Sequence, residues 1–153
     1  MANTNQFCTF YLGNFFLGVE VLKVQEVIRY QAMTRVPLAQ AVVKGLINLR
    51  GQIVTAIDLR RRLELPDRPE GELPMNVVIR TEEGTVSFLV DEIGDVLEAQ
   101  EDLFEAPPET VRGVSRELIR GVYKMKDRLL LILDTEKAIA LENGLDASVE
   151  KRG

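Results

Sequence analysis

The sequence predicts a mainly β protein made of two small β-barrels that share a hydrophobic core. Short runs of strand-forming residues are separated by turn signals at close spacing, which is typical of small barrels. One hairpin pattern also occurs twice, in the order glycine, apolar strand, turn, apolar strand, aspartate. A chain of 153 residues has the size of one domain, and half of it would bury too little surface to be stable alone. We therefore expect two related halves with one core.

The first copy of the hairpin runs from Gly45 to Asp58. Two apolar runs flank Arg50-Gly51, and a glycine as the second central residue suits a tight turn, because glycine reaches positive φ without steric conflict. Asp58 ends the second strand and can cap a short helix over 59–63. The hairpin therefore places a long cationic side chain at its tip.

The second copy runs from Gly121 to Asp134, with the same spacing between every matched pair. An upstream block, Gly18–Ile28, likewise matches Ser87–Leu97. Two blocks recur in the same order, so the sequence indicates internal duplication with a short helix after each hairpin. The matched pairs of the hairpin are Gly45 and Gly121, Leu49 and Met125, Arg50 and Lys126, Ile53 and Leu129, Ile57 and Leu133, and Asp58 and Asp134.

The other elements of the first half follow from strand-forming runs and turn residues. Gly13-Asn14 separates two such runs, and Val24–Ile28 is the next extended block. Pro37 can open a short helical turn through Ala41, because proline suits the first helical position. The predicted first hairpin pairs Phe7–Leu12 with Phe15–Val21.

The segment from Leu65 to Pro74 links the two halves, since three prolines and a glycine cannot sustain a regular element. We place one subdomain at roughly 15–65 and the other at roughly 75–134, with the N-terminal strand and the C-terminal helix completing the pair. The second half is predicted to contain strands at Met75–Arg80, Thr85–Val90 and Ile93–Ala99, a loop at 101–109, and a closing helix at Asp134–Leu141 that stops at Asn143-Gly144.

Composition excludes several classes of function. The net charge of −5 opposes attraction to nucleic acid, and we interpret the basic run Arg60–Arg62 as a solvated helix face. No apolar run approaches the length of a membrane span, and the first residues carry no secretory signal. With Cys8 as the single cysteine, we expect a cytoplasmic protein without an internal disulfide.

The residue inventory does not favour catalysis. The chain has no histidine and no phosphate-binding loop, and one cysteine cannot build a zinc site. Asp58 and Asp134 are better explained as helix caps, and Asp91-Glu92 as strand neighbours on opposite faces. We interpret Cys8 as an inert buried thiol. We expect no enzymatic activity, no metal, no cofactor and no small-molecule substrate; a ligand-binding barrel would need convergent polar groups in an apolar pocket, and the strands show none.

Three blocks carry a family resemblance: Lys44–Arg60 with Asn48-Leu49-Arg50-Gly51 at its centre, Leu22–Val27, and Val90–Val96. Over residues 7–141 the chain resembles the CheW family of chemotaxis coupling proteins. The resemblance implies two five-stranded SH3-like barrels and a non-enzymatic scaffold. Such a scaffold joins methyl-accepting chemoreceptors to the histidine kinase CheA, alternating with the kinase's regulatory domain in rings beneath membrane receptor arrays.

The resemblance also implies two contact sites. The receptor-contacting groove would lie between the barrels and include Val24, Glu26 and Arg50, with Gly51 as the turn glycine. Glu26 and Arg50 could pair, and the alternative is that they form a surface ion pair without further function. Pro107, Pro108 and Glu109 match a loop near the kinase and ring contacts. An adaptor of a non-flagellar pathway, such as surface motility or second-messenger control, remains the alternative function.

Overall fold

The computed structural model describes residues 4–82, 84–109 and 111–140. In this part of the chain ten strands form two five-stranded sheets, and the two α-helices are short. The strands are β1 Thr4–Leu12, β2 Phe15–Glu20, β3 Val24–Ile28, β4 Val43–Leu49, β5 Gln52–Asp58, β6 Met75–Thr81, β7 Gly84–Val90, β8 Glu92–Gln100, β9 Ile119–Lys124 and β10 Leu129–Leu133. The helices are α1 Leu59–Arg62 and α2 Thr135–Ile139, and 3-10 turns occur at Val21–Lys23, Glu101–Leu103 and Arg116–Leu118. The prediction of a mainly β fold is confirmed.

The two sheets exchange strands. Sheet 1 has the order β8-β1-β2-β10-β9, and sheet 2 has the order β3-β6-β7-β5-β4. The chain leaves sheet 1 after β2 and enters sheet 2 at β3, and it makes the reverse crossing from β7 to β8. The predicted subdomain ranges, 15–65 and 75–134, therefore each contribute strands to both sheets. Within the described residues neither order closes on itself, so each sheet keeps two edge strands.

The repeat predicted from the sequence is present in the hydrogen-bond register. Gly45 lies opposite Ala56 in the first hairpin, and Gly121 lies opposite Ile132 in the second. The outer edge of each hairpin is bridged by a preceding segment, at Leu46 in one copy and at Val122 in the other. The two sheets also correspond strand by strand. The strands β3, β6, β7, β5 and β4 of sheet 2 occupy the places of β8, β1, β2, β10 and β9 in sheet 1. The two halves are thus equivalent units that interlock.

Three clusters of buried apolar residues hold the sheets. The largest, the shared core, combines residues of both sheets, such as Phe10 and Val19 of sheet 1 with Ile57 and Phe88 of sheet 2. Each sheet also buries residues on its other face. These are the sheet 1 cluster, Phe7, Phe16, Tyr123, Leu130 and Ile132, and the sheet 2 cluster, Ile47, Leu49, Val54, Ala56, Val78 and Leu89. The predicted common core is therefore observed between the sheets.

The helix caps predicted from the sequence are confirmed. The Asp58 side chain accepts from the Arg60 amide, and that of Asp134 accepts from the Lys137 amide. The predicted helical turn from Pro37 to Ala41 is wrong, because Leu38 takes a φ of 64° and the chain makes separate turns there. The predicted loop at 101–109 is confirmed, apart from its opening 3-10 turn.

The predicted helix stop at Asn143-Gly144 lies outside the described residues. In the described part of the chain, no helix has both the length and the apolar character that crossing a membrane requires.

Candidate functional site

The tip of the β4–β5 hairpin is a two-residue turn with positive φ at both central residues, 52° at Arg50 and 90° at Gly51. This is the combination that a type I′ turn requires, and it matches the twist of the flanking strands. The Asn48 side-chain oxygen accepts from the Gly51 amide at 2.8 Å, which fixes the turn from within. Arg50 is thus held at a defined place although its backbone conformation is unusual for a residue with a side chain.

Arg50 meets Glu26 across the open side of sheet 2. Glu26 lies on β3, one edge strand, next to an irregularity in the β3–β6 register; Arg50 follows β4, the other edge strand. The Arg50 Nη2 atom donates a hydrogen bond to Glu26 Oε2. The Gln25 side chain donates to the same oxygen at 3.3 Å. The predicted pairing of Glu26 with Arg50 is therefore observed, and it connects the two edges of one sheet.

The ion pair has a polar, accessible environment. The Arg50 side chain is 67% exposed and the Glu26 side chain 23% exposed. The hydrogen bond from Arg50 holds the pKa of Glu26 below its usual value, and the same bond raises the pKa of Arg50. Both groups are charged at neutral pH, so the pair presents one fixed carboxylate and one guanidinium with donors still available to a partner.

Apolar residues occur within a few positions of each member of the pair in the sequence. Val24, the first residue of β3, is half-buried and packs against the shared core. Leu22 is 88% exposed and Ile53 is 60% exposed. Gly51 has open space around its α-carbon.

The second set of predicted residues lies in a different part of the molecule. Pro107, Pro108 and Glu109 belong to the loop that leads from β8 to β9, both strands of sheet 1. The two prolines are half-buried and Glu109 is exposed. Arg116 Nη2 donates to the Pro107 carbonyl at 2.6 Å, which ties this loop to the turn before β9. This loop connects two strands of sheet 1, whereas the Arg50 turn connects two strands of sheet 2.

Sequence reasoning missed a charged network between the sheets. Asp91 lies in the bend between β7 and β8, not on a strand as expected, and it accepts hydrogen bonds from Arg60 and Arg68. Arg60 was expected to be solvated but is only 9% exposed. Arg62 also turns inward and donates to the Ala138 carbonyl at 2.7 Å. The local sequence, a basic run after an aspartate cap, does not indicate these acceptors, because Asp91 and Ala138 lie far along the chain.

Metal ions and thiols are two common sources of reactivity, and the described residues provide little of either. No cluster of three or more His, Cys, Asp or Glu suited to a metal ion occurs among them. The Cys8 thiol is partly buried, and burial raises its pKa, which lowers the fraction of reactive thiolate.

Comparisons with known proteins agree with this description. The CheW-like domain family model matches residues 6–143. A chemotaxis protein CheW of Bacillus subtilis is 33% identical over 130 residues, covering 85% of this chain and 83% of that protein. A chemotaxis protein CheW of Klebsiella aerogenes is 32% identical over 137 residues, covering 90% of this chain and 82% of that protein.

A solved structure supports the fold. The crystal structure of scaffolding protein TtCheW from Thermoanaerobacter tengcongensis aligns with a TM-score of 0.77 at 24% identity, covering 87% of this chain and 86% of that one. The family match spans both sheets and both copies of the repeat. From the family match and the identity to its chemotaxis members, we conclude that the chain belongs to the CheW-like domain family.

Proposed function

We propose that this chain is a non-enzymatic coupling protein that links methyl-accepting chemoreceptors to the histidine kinase CheA and supports receptor control of that kinase. The observation that carries the proposal is the Glu26–Arg50 pair at the open side of sheet 2. The two sheets would correspond to the two five-stranded SH3-like barrels of such a scaffold. The protein would work in the cytoplasm, at membrane receptor arrays.

The receptor site consists of Val24, Glu26, Arg50 and Gly51. A receptor tip is a helical hairpin, and a helix docks through a few apolar anchors flanked by polar contacts. Val24 supplies a half-buried apolar contact beside the ion pair. Because Glu26 already orients the Arg50 guanidinium, less side-chain freedom is lost when a partner binds. Gly51 leaves room at the turn for a close approach.

The kinase contact is assigned to Pro107, Pro108 and Glu109. Two adjacent prolines restrict the backbone of this loop, and the bond from Arg116 restrains it further. A restrained loop with an exposed carboxylate can form a defined edge-to-edge contact. Since this loop and the Arg50 turn belong to different sheets, receptor and kinase could be held at the same time.

The test replaces Arg50 by asparagine. Asparagine tolerates positive φ and favours the type I′ turn before glycine, so Arg50→Asn removes the guanidinium without disturbing the hairpin. In a reconstitution with receptor-containing membranes and CheA, we expect Arg50→Asn to lower receptor co-sedimentation and receptor control of the kinase about tenfold, while its binding to CheA alone is unchanged.

Lys126→Asn is the matched control, because Lys126 occupies the position of Arg50 in the second copy of the hairpin. It should bind receptors as well as the parent protein. Equal loss of receptor binding in both variants, or a loss of CheA binding in Arg50→Asn, would contradict the assignment. Thermal unfolding of each variant separates a binding effect from a folding effect.

A further inference from the structure

The loop between β3 and β4, residues 29–42, presents an apolar side chain that the fold does not use. The Ala39 amide bonds to the Val36 carbonyl at 3.3 Å, which closes a four-residue turn with Pro37 second and Leu38 third. Leu38 has a φ of 64°, the positive value that the third position of a type II turn requires. Glycine or asparagine is usual there, because most side chains disfavour this conformation. The Leu38 side chain is fully exposed.

Leu38 differs from the other described residues that combine a side chain with positive φ. These are Arg50 and Glu64. Glu64 follows the end of α1, where positive φ is common, and Arg50 occupies the turn assigned above to the receptor. Leu38 neither ends a helix nor packs against the protein, so folding does not account for a leucine at this position. A contact with another molecule would account for it.

The β3–β4 loop also differs in charge from the chain as a whole. It contains two cations, Arg29 and Arg35, and no carboxylate, although the net charge of the chain is −5. Both arginines are exposed, and in the described part of the chain neither takes part in an ion pair. Arg61 donates to the Ala41 carbonyl of the loop at 3.0 Å, but Arg61 is itself paired with Asp67. The loop therefore combines a net positive charge with an exposed leucine.

The equivalent loop of the second half has the opposite charge. This loop, residues 101–118, joins β8 to β9, which take the places of β3 and β4 in sheet 1. It contains five carboxylates and two arginines, for a net charge of −3. Among the described residues only one of these carboxylates, that of Glu105, is in an ion pair, with Lys124. Leu103 is 59% exposed beside the exposed Asp102, so this loop also carries an apolar group.

We propose that the β3–β4 loop of one molecule docks against the β8–β9 loop of a second copy of this chain, with Leu38 as the apolar anchor. The opposite net charges of the two loops favour this pairing and disfavour contact between two loops of the same kind. Because the two loops are different surfaces, the contact is head-to-tail, and each added copy presents a free loop to the next. Both loops are short, so the contact is weak and transient.

The β8–β9 loop also carries the proposed kinase contact at Pro107, Pro108 and Glu109, so a second copy and the kinase would compete for it. Self-association needs neither kinase nor receptor, and it therefore goes beyond the proposed function. The tests use the full chain alone, without either partner. Their outcome is thus separate from that of the receptor test with Arg50→Asn.

Sedimentation velocity of the full chain between about 10 µM and about 1 mM measures the self-association. At about 50 mM sodium chloride we expect the weight-average sedimentation coefficient to rise with protein concentration. At about 500 mM the dissociation constant should increase about tenfold, because salt screens the opposite charges. A coefficient that stays at the monomer value at every concentration would overturn the proposal.

Leu38→Asn tests the apolar anchor. Asparagine tolerates positive φ, so the thermal midpoint should stay the same or rise, while the dissociation constant for self-association increases about tenfold. Leu73→Asn is the matched control, because Leu73 is a 65% exposed leucine in the link between the halves, and this variant should associate as the parent does. The proposal is wrong if Leu38→Asn lowers the thermal midpoint, or if it leaves the dissociation constant unchanged.

Two charge reversals test the head-to-tail direction. Arg35→Glu alters the β3–β4 loop and Asp102→Arg the β8–β9 loop, and each variant alone should associate at least about tenfold more weakly. An equimolar mixture should form pairs and nothing larger, because the unaltered β8–β9 loop of the first variant meets the unaltered β3–β4 loop of the second. Arg80→Glu, an exposed reversal on β6, is the control and should associate as the parent does. A mixture that sediments as the separate variants do would contradict the head-to-tail contact.

A basic loop with an exposed leucine suits one other occupant, an anionic lipid surface. Flotation of the full chain with phosphatidylserine vesicles tests this occupant. We expect no binding, because the net charge of −5 opposes it. Vesicle binding that Leu38→Asn abolishes, in a chain that does not self-associate, would overturn the proposal in favour of the lipid.

Discussion

Among single residues, Asp91 connects three separate segments of the chain. Its carboxylate accepts from Arg60 of α1, from Arg68 of the link between the halves, and from the Gly13 amide of the β1–β2 turn. The Asp91 side chain is 13% exposed and that of Arg68 is 9% exposed. One side chain therefore joins both sheets to the link at the place where the chain crosses between them.

We expect Asp91→Asn to lower the free energy of unfolding by about 3 kcal/mol or more, because it leaves two largely buried guanidinium groups without their anion. Urea unfolding at pH 7 measures the change. Asp67→Asn is the control: Asp67 also pairs with an arginine of α1, but its side chain is 63% exposed, so its loss should have a far smaller effect. Similar losses in both variants would show that burial is not what makes Asp91 important.

The Asp91→Asn variant should also lose less stability than the parent protein does when the pH falls. Burial alone would raise the pKa of Asp91, but the bonds from Arg60 and Gly13 and the charges of Arg60 and Arg68 outweigh it and hold the pKa below its usual value. A carboxyl group with a lowered folded-state pKa stabilises the fold fully above its unfolded value of about 4, and the contribution is lost as pH falls below that. The difference in stability between the parent and Asp91→Asn should therefore be constant from pH 7 to 5 and shrink toward pH 2.

Sequence reasoning succeeded at residues whose partners are marked by a local pattern. The turn at Arg50-Gly51 and the Asp58 cap could be predicted because each depends on neighbours a few residues away. The burial of Arg60 could not, since a basic run on a short helix is ordinarily solvated and its anion is 31 positions further along the chain. The pairing of Glu26 with Arg50 was suggested by family resemblance, not by their spacing.

At the level of elements, each hairpin is held by a segment that crosses its outer edge. The first is crossed at Thr34, whose amide and carbonyl bond to Leu46 at 2.8 Å, and the second at Glu105, which bonds to Val122 in the same way. The crossing segments approach so closely because Gly45 and Gly121 lack side chains. A β-carbon at Gly45 would lie 2.7 Å from the Thr34 carbonyl oxygen, and one at Gly121 would lie 2.6 Å from that of Glu105.

Gly45→Ala should lower the free energy of unfolding by about 1–3 kcal/mol, because a backbone carbonyl must move and the bridge at Thr34 is strained. Hydrogen exchange of the Leu46 amide should rise more than that of other β4 amides. The control is Lys44→Ala on the same strand, where the side chain is exposed and the change should be nearly neutral. An unchanged thermal midpoint in Gly45→Ala would contradict the close approach.

The helical turn predicted from Pro37 to Ala41 is absent because the pairing of the chain on either side of it outweighs the local preference of proline. Proline suits the first turn of a helix, but the chain must bring Thr34 to β4 and then enter β4 at Val43 only a few residues later. Leu38 takes positive φ, and the Ala39 amide bonds to the Val36 carbonyl while the Val43 amide bonds to that of Gln40. Two separate turns reverse the chain where one helical turn would extend it.

For the whole molecule, the duplication was readable from the sequence but the exchange of strands was not. Matching glycines and aspartates mark equivalent hairpins, because each has a fixed structural task. Nothing in β3 or β8 marks which sheet it joins, since sheet membership depends on pairing with strands far along the chain. The locations of Val24, Glu26, Arg50 and Gly51 as a receptor site, and of Pro107, Pro108 and Glu109 as a kinase site, stay predictions.

The exchange implies that neither half folds alone. If the chain is divided after Gly71, an exposed glycine in the link with open space around it, each fragment should give a disordered circular-dichroism spectrum. Mixing the fragments should restore the β spectrum, because every strand again finds its partners. Native-like amide dispersion in either isolated fragment would contradict this expectation, and the undivided chain under the same conditions is the control.

The interlocked sheets also bear on how such a molecule could arise. One half, present as a separate short chain, could complete both sheets only by pairing with a second copy, and that arrangement is a domain-swapped homodimer. Fusing the copies through the 65–74 link turns a concentration-dependent association into an intramolecular one. A homodimer must present identical faces, but fused copies can diverge, so one tip now carries Arg50 and the other Lys126. Fusion thus gives one polypeptide two unlike ends, which a symmetric ancestor could not offer to two different neighbours.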